Sequence, residues 1–277
     1  MLTVPAASII PNPDHPIPPM PHILITNDDG VHAPGLLALA QALRSVAHVS
    51  ILAPHRNWSV SGHNKTMNKP LRVWSVTLAD DSDALTTDGG PSDCVVLATR
   101  GLLAEQVDLV ISGINNRPNL GNDITYSGTV AAAMEATIAG FPALAISAEE
   151  GEPRHWDAAA QVAARIATKV LQNGGLPRET LLNINVPNLP ESGLKGWQIT
   201  RLGQRRYHDE LLVRQDSDGR PYYWIGGEAP TSILEPGTDV QALAHGYVSI
   251  TPLHLDMTHH QVLDAMGASL LAAAPVS

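Results

Sequence analysis

From residue 22 onward, short apolar runs alternate with segments of helical spacing, and this alternation constrains the fold more than any other feature of the chain. His22–Thr26, His48–Pro54, Leu71–Val76, Val107–Ile111, Ala143–Ser147 and Leu181–Val186 read as strands. Gly35–Val46, Pro91–Leu103, Thr129–Ala139 and Trp156–Gln172 read as helices between them. Strands that are apolar throughout, joined by helices, belong to a parallel sheet covered on both faces. The expected fold is therefore α/β, with a doubly wound, mostly parallel sheet over residues 22–190.

After Pro190 the texture changes. Trp197–Leu202, Tyr222–Ile225 and Tyr247–Thr251 read as strands with Gly-rich turns and no helix between them, and an amphipathic helix from Thr258 to Ala273 closes the chain. Residues 191–277 are thus expected to form a β-rich extension and terminal helix that serve as an oligomerisation arm. Residues 1–21 hold seven prolines and no lysine or arginine, which reads as a flexible or polyproline-like tail rather than a secretory signal.

A formal charge of −10 over 277 residues argues against a nucleic-acid duplex or an anionic membrane as partner. No apolar segment approaches the roughly 20 residues of a membrane span. The single cysteine, Cys94, allows no internal disulfide or thiolate cluster and suits a cytoplasmic location.

The first strand runs directly into Asn27-Asp28-Asp29-Gly30. Two carboxylates then stand at the carboxyl end of a strand, where open α/β sheets bind ligands. Adjacent acids repel, and a site that keeps both ionised calls for a cation. Three further loops rich in oxygen ligands follow strands or precede a helix: residues 53–63 with Ser59, residues 112–123 with Asn115 and Asn119, and Tyr126-Ser127-Gly128-Thr129. Loops after parallel strands converge on one edge. Carboxylate, amide and hydroxyl oxygens suit Mg²⁺, Mn²⁺ or Ca²⁺. Ser127-Gly128-Thr129 at a helix start supplies hydroxyls, free N–H groups and the positive end of a helix dipole, which together suit phosphate.

These segments, together with Gly90-Pro91-Ser92-Asp93-Cys94 and Gly246-Tyr247-Val248-Ser249-Ile250-Thr251-Pro252-Leu253, resemble the SurE family of survival-protein nucleotidases in order from residue 22 to about 258. The resemblance implies a Rossmann-like core whose β-rich extension and C-terminal segment are exchanged between subunits, giving a dimer or tetramer. It implies a divalent-metal-dependent phosphomonoesterase acting on nucleoside monophosphates, with some members also trimming polyphosphate. Carried over by motif, one Mg²⁺ or Mn²⁺ per subunit falls to Asp28, Asp29, Ser59 and Asn115. Asn119, Ser127, Gly128 and Thr129 fall around the phosphate, and Asp28, Asn119 and Ser127 carry the chemistry. Asp28 is favoured over Asp29 for orienting or deprotonating the attacking water.

Two positions depart from the family pattern: Arg117 and Ala136 stand where glycine is common. Arg117 either obstructs the usual loop path or adds a phosphate contact. His63 is a candidate for positioning the ligand loop, and Asp123 for ordering its own loop through the backbone. His259-His260 point about 100° apart on a helix and do not chelate one ion together. Cys94 reads as a small buried apolar residue, and Tyr222-Tyr223-Trp224 as interface packing. The competing readings are a nucleotide- or metal-binding protein without turnover, and a dinucleotide-dependent enzyme. The second lacks its G-x-G-x-x-G turn after the first strand.

Overall fold

The computed structural model describes residues 20–271. The chain runs through β1 (His22–Thr26), α1 (Pro34–Leu43), β2 (His48–Pro54), β3 (Val73–Thr77), β4 (Asp83–Thr87), α2 (Pro91–Leu97) and β5 (Leu109–Asn115). It continues through α3 (Gly128–Ile138), β6 (Ala143–Ala148), α4 (Trp156–Gln172) and β7 (Thr180–Val186). Then come β8 (Trp197–Ile199), β9 (Gln204–Gln215), β10 (Pro221–Ile233), α5 (Asp239–Ala244), β11 (Val248–His254) and α6 (His260–Leu271).

Nine strands form one sheet in the order β3-β4-β2-β1-β5-β6-β7-β11-β8, and β9 and β10 form a separate antiparallel pair. The strands from β4 through β7 are parallel to their neighbours, while β3 and β11 run against β4 and β7. The chain winds from β1 outward through β2 to β4, then returns to the other side of β1 with β5. The direction of winding therefore reverses between β1 and β5, and a crevice opens there at the carboxyl ends of the strands.

Burial explains the core. All five residues of β1 are buried; Ile23 and Ile25 pack with Leu36 and Leu39 of α1 and Ala163 of α4, while Leu24 packs with Val95 of α2 and Val130 of α3. Successive strand residues point to opposite faces, so one apolar pentapeptide anchors both helical layers. Each such side chain contributes about 1.5–3 kcal/mol by leaving water. Pro34 opens α1 at a position whose N–H has no helical partner to lose.

Four features depart from the reading by pattern. The spacing predicts neither β4 nor β9, because Asp83-Ala84-Leu85-Thr86-Thr87 carries few apolar residues and β9 is exposed along nearly its whole length, so neither shows a one-faced repeat. A helix, α5, does stand between the C-terminal strands; at six residues it is too short to display a helical period. The helix expected over Pro91–Leu103 keeps α-helical pitch only to Leu97, after which Ala98–Leu102 forms a wider turn with Gly101 at φ +118°. Finally, β5 extends through Asn115, so this residue sits on a strand end and not in a loop.

Past residue 190 the chain divides its roles. β8 and β11 join the main sheet, whereas the β9–β10 hairpin stands clear of it. Trp224 faces Leu212 and Tyr223 faces Val213 in the hairpin register. These side chains are exposed, Trp224 by 60% and Ile225 by 80%. The end of the expected terminal helix, residues 272–273, and nearly all of the proline-rich tail lie outside the described residues. No described helix is long and apolar enough to cross a membrane.

Candidate active site

The turn after β1 is built on Asn27. Its side-chain amide donates to the Gly30 carbonyl at 2.9 Å, and its side-chain oxygen accepts the Gly30 N–H at 3.1 Å. Gly30 adopts φ +105°, where a side chain would be strained. This tight return leaves Asp28 and Asp29 presented at the β1–β5 crevice.

Each carboxylate collects partners from a different loop. Asp28 is buried, and its Oδ1 accepts the Thr129 hydroxyl at 2.5 Å. Asp29 Oδ1 accepts Asn57 Nδ2 at 3.2 Å, and Oδ2 accepts the Asn116 N–H at 3.2 Å. Trp58 N–H donates to the Asp28 carbonyl at 2.7 Å, and Ser59 N–H donates to Asn57 Oδ1 at 2.7 Å. The loop carrying Ser59 is therefore fastened along the Asp pair, and the end of β5 reaches the same pair through Asn116.

Helix α3 points its N-terminus at Asp28. Ser127 caps it by accepting the Val130 N–H at 3.1 Å. Gly128 is the point of closest approach: a Cβ there would lie 2.7 Å from Asp28 Cβ and 2.9 Å from Asp28 Oδ2. The hydroxyls of Ser127 and Thr129 are both engaged within the protein, Thr129 as a donor to Asp28.

Asn115 Nδ2 donates to the Arg117 carbonyl at 2.6 Å, closing the turn beyond β5. The Arg117 guanidinium reaches away from this turn to Glu150 at 2.8 Å. It neither blocks the loop nor stands free for an anion. Asn119 is buried in an amide network: its Nδ2 donates to Ser147 Oγ at 2.9 Å, its N–H to Asn185 Oδ1 at 2.7 Å, and its carbonyl accepts Asn183 Nδ2 at 2.8 Å. Asn183 and Asn185 lie far along the sequence on β7, and no local pattern announces them. Asn57 and Asn116 were equally invisible as supports of Asp29, because the contacts span 28 and 87 residues.

Electrostatics single out the Asp pair. Burial is the main force raising the Asp28 carboxyl above its ordinary 3.8, with the Thr129 hydrogen bond opposing it. Burial, and then the neighbouring Asp28 charge, push Asp29 up to about 6. The closest cationic side chains are committed elsewhere, Arg117 to Glu150 and Arg154 to the carbonyls of Asn116 and Glu149. The Arg154 and Arg117 charges draw the Asp29 carboxyl partly back down, but burial and the Asp28 charge outweigh them, so the pair calls for further positive charge.

Surrounding residues shape the loops. His63 Nε2 lies 3.0 Å from Glu135 Oε2, and Lys65 Nζ lies 2.5 Å from Glu135 Oε1, so a buried carboxylate on α3 ties down the Ser59 loop. Asp123 does not bond its own backbone as expected. It accepts the Tyr207 hydroxyl and pairs with Arg205 at 3.1 Å, linking the Gly121–Thr125 turn to the foot of the hairpin. Asp239 reinforces that link by accepting the N–H groups of Gly121 at 2.9 Å and Gly203 at 2.7 Å. Cys94 is fully buried, and burial pushes its thiol well up. His260, at the start of α6, pairs with Asp256, not with His259. Away from this edge, ligand atoms of His22, His48 and Glu105 lie within 4.8 Å of one another, close enough to hold a metal ion.

Comparison with known proteins agrees with this architecture. The family profile described as Survival protein SurE matches residues 23–209. A protein of Chloroflexus aggregans named 5'-nucleotidase SurE is 50% identical over 246 residues, covering 88% of this chain and 97% of that relative. A second of that name, from Geobacter sulfurreducens, is 49% identical over 253 residues, covering 91% of this chain and 95% of its own. The crystal structure of the SurE protein from Aquifex aeolicus superposes with a TM-score of 0.77 at 43% identity, covering 90% of this chain and all of that one. With the profile spanning most of the chain and relatives near half identical along nearly their full length, this protein belongs to the SurE family.

Proposed function

We propose that this protein is a 5'-nucleotidase: a divalent-metal-dependent phosphomonoesterase that converts nucleoside monophosphates to nucleoside and phosphate. The observation that carries the reading is the Asp28–Asp29 pair, in which burial and mutual repulsion outweigh the nearby Arg154 and Arg117 charges, placed against the N-terminus of α3. The names of the relatives support it.

The donor set fits a hard divalent ion. Two carboxylates, the Ser59 hydroxyl and the Asn115 amide offer only oxygens, which suits Mg²⁺ or Mn²⁺. Such an ion, when bound, neutralises the pair, polarises a phosphoryl group and makes water more acidic. The protein's own groups do the rest. Ser127 and the N–H groups of Gly128 and Thr129, at the positive end of α3, bind and stabilise the charged phosphate oxygens. Asn119, held rigid by Ser147, Asn183 and Asn185, supports them. Asp28, oriented by the Thr129 hydroxyl, positions the attacking water and accepts its proton. In-line attack by water forms no covalent phosphoenzyme. The single, buried Cys94 accords with a reducing cytoplasm as the place of action.

Release of phosphate from AMP, with and without Mn²⁺, separates this reading from binding without turnover. Metal-stimulated release is expected. AMP binding with no phosphate released under any divalent ion would leave only the binding module.

The raised Asp29 carboxyl sets the pH dependence. In the metal-free protein, protons compete with the ion below about 6. Apparent Mn²⁺ affinity should therefore fall by about tenfold per pH unit below that value and level off above it. The stability of the metal-free protein runs the opposite way. A carboxyl with a folded pKa above its unfolded 3.8 makes the metal-free protein lose stability as pH rises from 3.8 to about 6. Metal should thus raise the melting temperature at pH 7 more than at pH 4, a comparison calorimetry makes directly.

The exposed apolar side chains of β9 and β10 support assembly into at least a dimer through the C-terminal extension. Two strands alone cannot bury both faces of a hairpin. Light scattering is expected to report a mass of at least twice the 29.4 kDa chain. Trp224→Asp combined with Leu212→Asp should shift it toward that of a single chain.

A further inference from the structure

We propose that His22, His48 and Glu105 form a second metal site, separate from the Asp28–Asp29 crevice and suited to a borderline ion such as Zn²⁺. The parallel register of β1 and β2 pairs His22 with His48 at the amino end of the sheet. The strand His22–Thr26, four steps or about 13 Å, separates this end from the turn that carries Asp28. The two rings lie with centroids 4.7 Å apart, and Glu105 approaches both. Its Oε2 is 3.0 Å from His48 Nδ1 and 4.0 Å from His22 Nδ1. A tetrahedral ion with bonds of about 2.0–2.2 Å needs donors about 3.3–3.5 Å apart, a value between these two separations.

The surroundings distinguish this cluster from a chance surface ion pair. The His22 side chain is only 6% exposed, and its Nε2 lies 2.8 Å from Ser50 Oγ. Nδ1 lies 3.1 Å from the Gln106 carbonyl, which only accepts, so in the metal-free protein Nδ1–H donates there and Nε2 accepts the Ser50 hydroxyl. Ligation at Nδ1 would move the proton to Nε2, which would then donate to Ser50 Oγ. An outer partner that orients a liganding imidazole in this way is the usual support of a metal histidine. The ion would replace the hydrogen bond from Nδ1 to the Gln106 carbonyl. The segment bearing Glu105 is itself anchored, because the His22 N–H donates to Asp108 Oδ2 at 2.8 Å. His48 and Glu105 are more than half exposed, so an ion can enter and water can complete its shell. Two imidazoles and one carboxylate favour Zn²⁺, Co²⁺ or Ni²⁺, whereas the crevice offers only hard oxygens. A bound ion would clip together three segments distant in sequence, and ligation of the folded state alone raises stability.

Zn²⁺ titration of the full chain without a histidine tag, in excess Mg²⁺, tests the assignment by calorimetry and by melting temperature. His48→Ala and Glu105→Gln alter exposed side chains, so both should fold. Each is expected to bind one Zn²⁺ fewer per chain than the unaltered protein and to lose the Zn²⁺-dependent rise in melting temperature. Ser50→Ala retains all three ligands and should weaken this Zn²⁺ by roughly 10–100-fold. Equal stoichiometry and affinity in His48→Ala and the unaltered protein would reduce the cluster to an ion pair. Unchanged Zn²⁺ affinity in Ser50→Ala would remove the oriented His22 from the site, and the proposal with it.

Discussion

Asp28→Asn is expected to lower kcat/KM for AMP by about 10³-fold or more, while circular dichroism and melting temperature stay close to those of the unaltered protein. The substitution keeps the shape of the side chain, and the amide oxygen can still accept the Thr129 hydroxyl that holds it at 2.5 Å. The charge is what disappears. Asp28 is proposed both to hold the ion and to take a proton from water, and an amide does neither well. Loss of charge stabilisation at a reacting phosphoryl group is worth about 10²–10³ for a single donor, and loss of the proton acceptor adds to it. A 10³-fold loss corresponds to about 4 kcal/mol of transition-state stabilisation. Asp29→Asn should also abolish metal stimulation. Its carboxylate is supported by Asn57 and the Asn116 N–H, so the loop geometry can survive the change. Turnover near normal at low metal in both variants would remove the Asp pair from the chemistry. Trapping a stable phospho-aspartate at Asp28 would replace water by the carboxylate as nucleophile.

Gly128→Ala is the second large expected effect, and it tests position rather than charge. A methyl group at residue 128 would meet Asp28 Cβ at 2.7 Å, Asp28 Oδ2 at 2.9 Å and Ser61 Oγ at 3.1 Å. Real Cβ atoms do not approach so closely, so either the start of α3 or the Asp28 side chain has to move. Alanine is otherwise a good helix residue, and the effect should fall on the site more than on the helix. Displacement by about 1 Å of a group that must align with a reacting atom costs about 10²-fold in rate. The expected result is a kcat reduced by about 10²-fold, with loss of stability near the 1–3 kcal/mol typical of overpacking. A variant with unaltered kcat and unaltered melting temperature would show that the close approach of α3 to Asp28 is not needed.

The parts of this molecule legible in the amino-acid order are those governed by local rules. The bounds of β1, β2 and α4 follow from apolar spacing and match the structure residue for residue. The Asp28–Asp29 turn and the Ser127 cap are likewise local, since Asn27 bonds Gly30 and Ser127 bonds Val130, each three residues away. Where burial on one face is missing, the pattern fails: β9 is exposed along nearly its whole length, and α5 is a six-residue helix.

The functional arrangement depends on contacts that no local rule encodes. Asp29 is supported from Asn57 and Asn116, Asn119 from Ser147, Asn183 and Asn185, and Asp123 from the foot of the hairpin at Arg205 and Tyr207. Asn57 reaches Asp29 because β2 lies beside β1, and Asn116 because β5 lies on its other side. Ser147, Asn183 and Asn185 reach Asn119 because β6 and β7 follow β5 in the sheet, while Arg205 and Tyr207 come from the separate hairpin. The same is true of Arg117. Its charge is evident from the sequence, but its commitment to Glu150 depends on where β6 ends. Short-range spacing thus determined which residues present oxygen, hydroxyl and carboxylate at strand ends. Tertiary structure alone decided which of them meet, because parallel pairing joins strands that the chain itself keeps tens of residues apart.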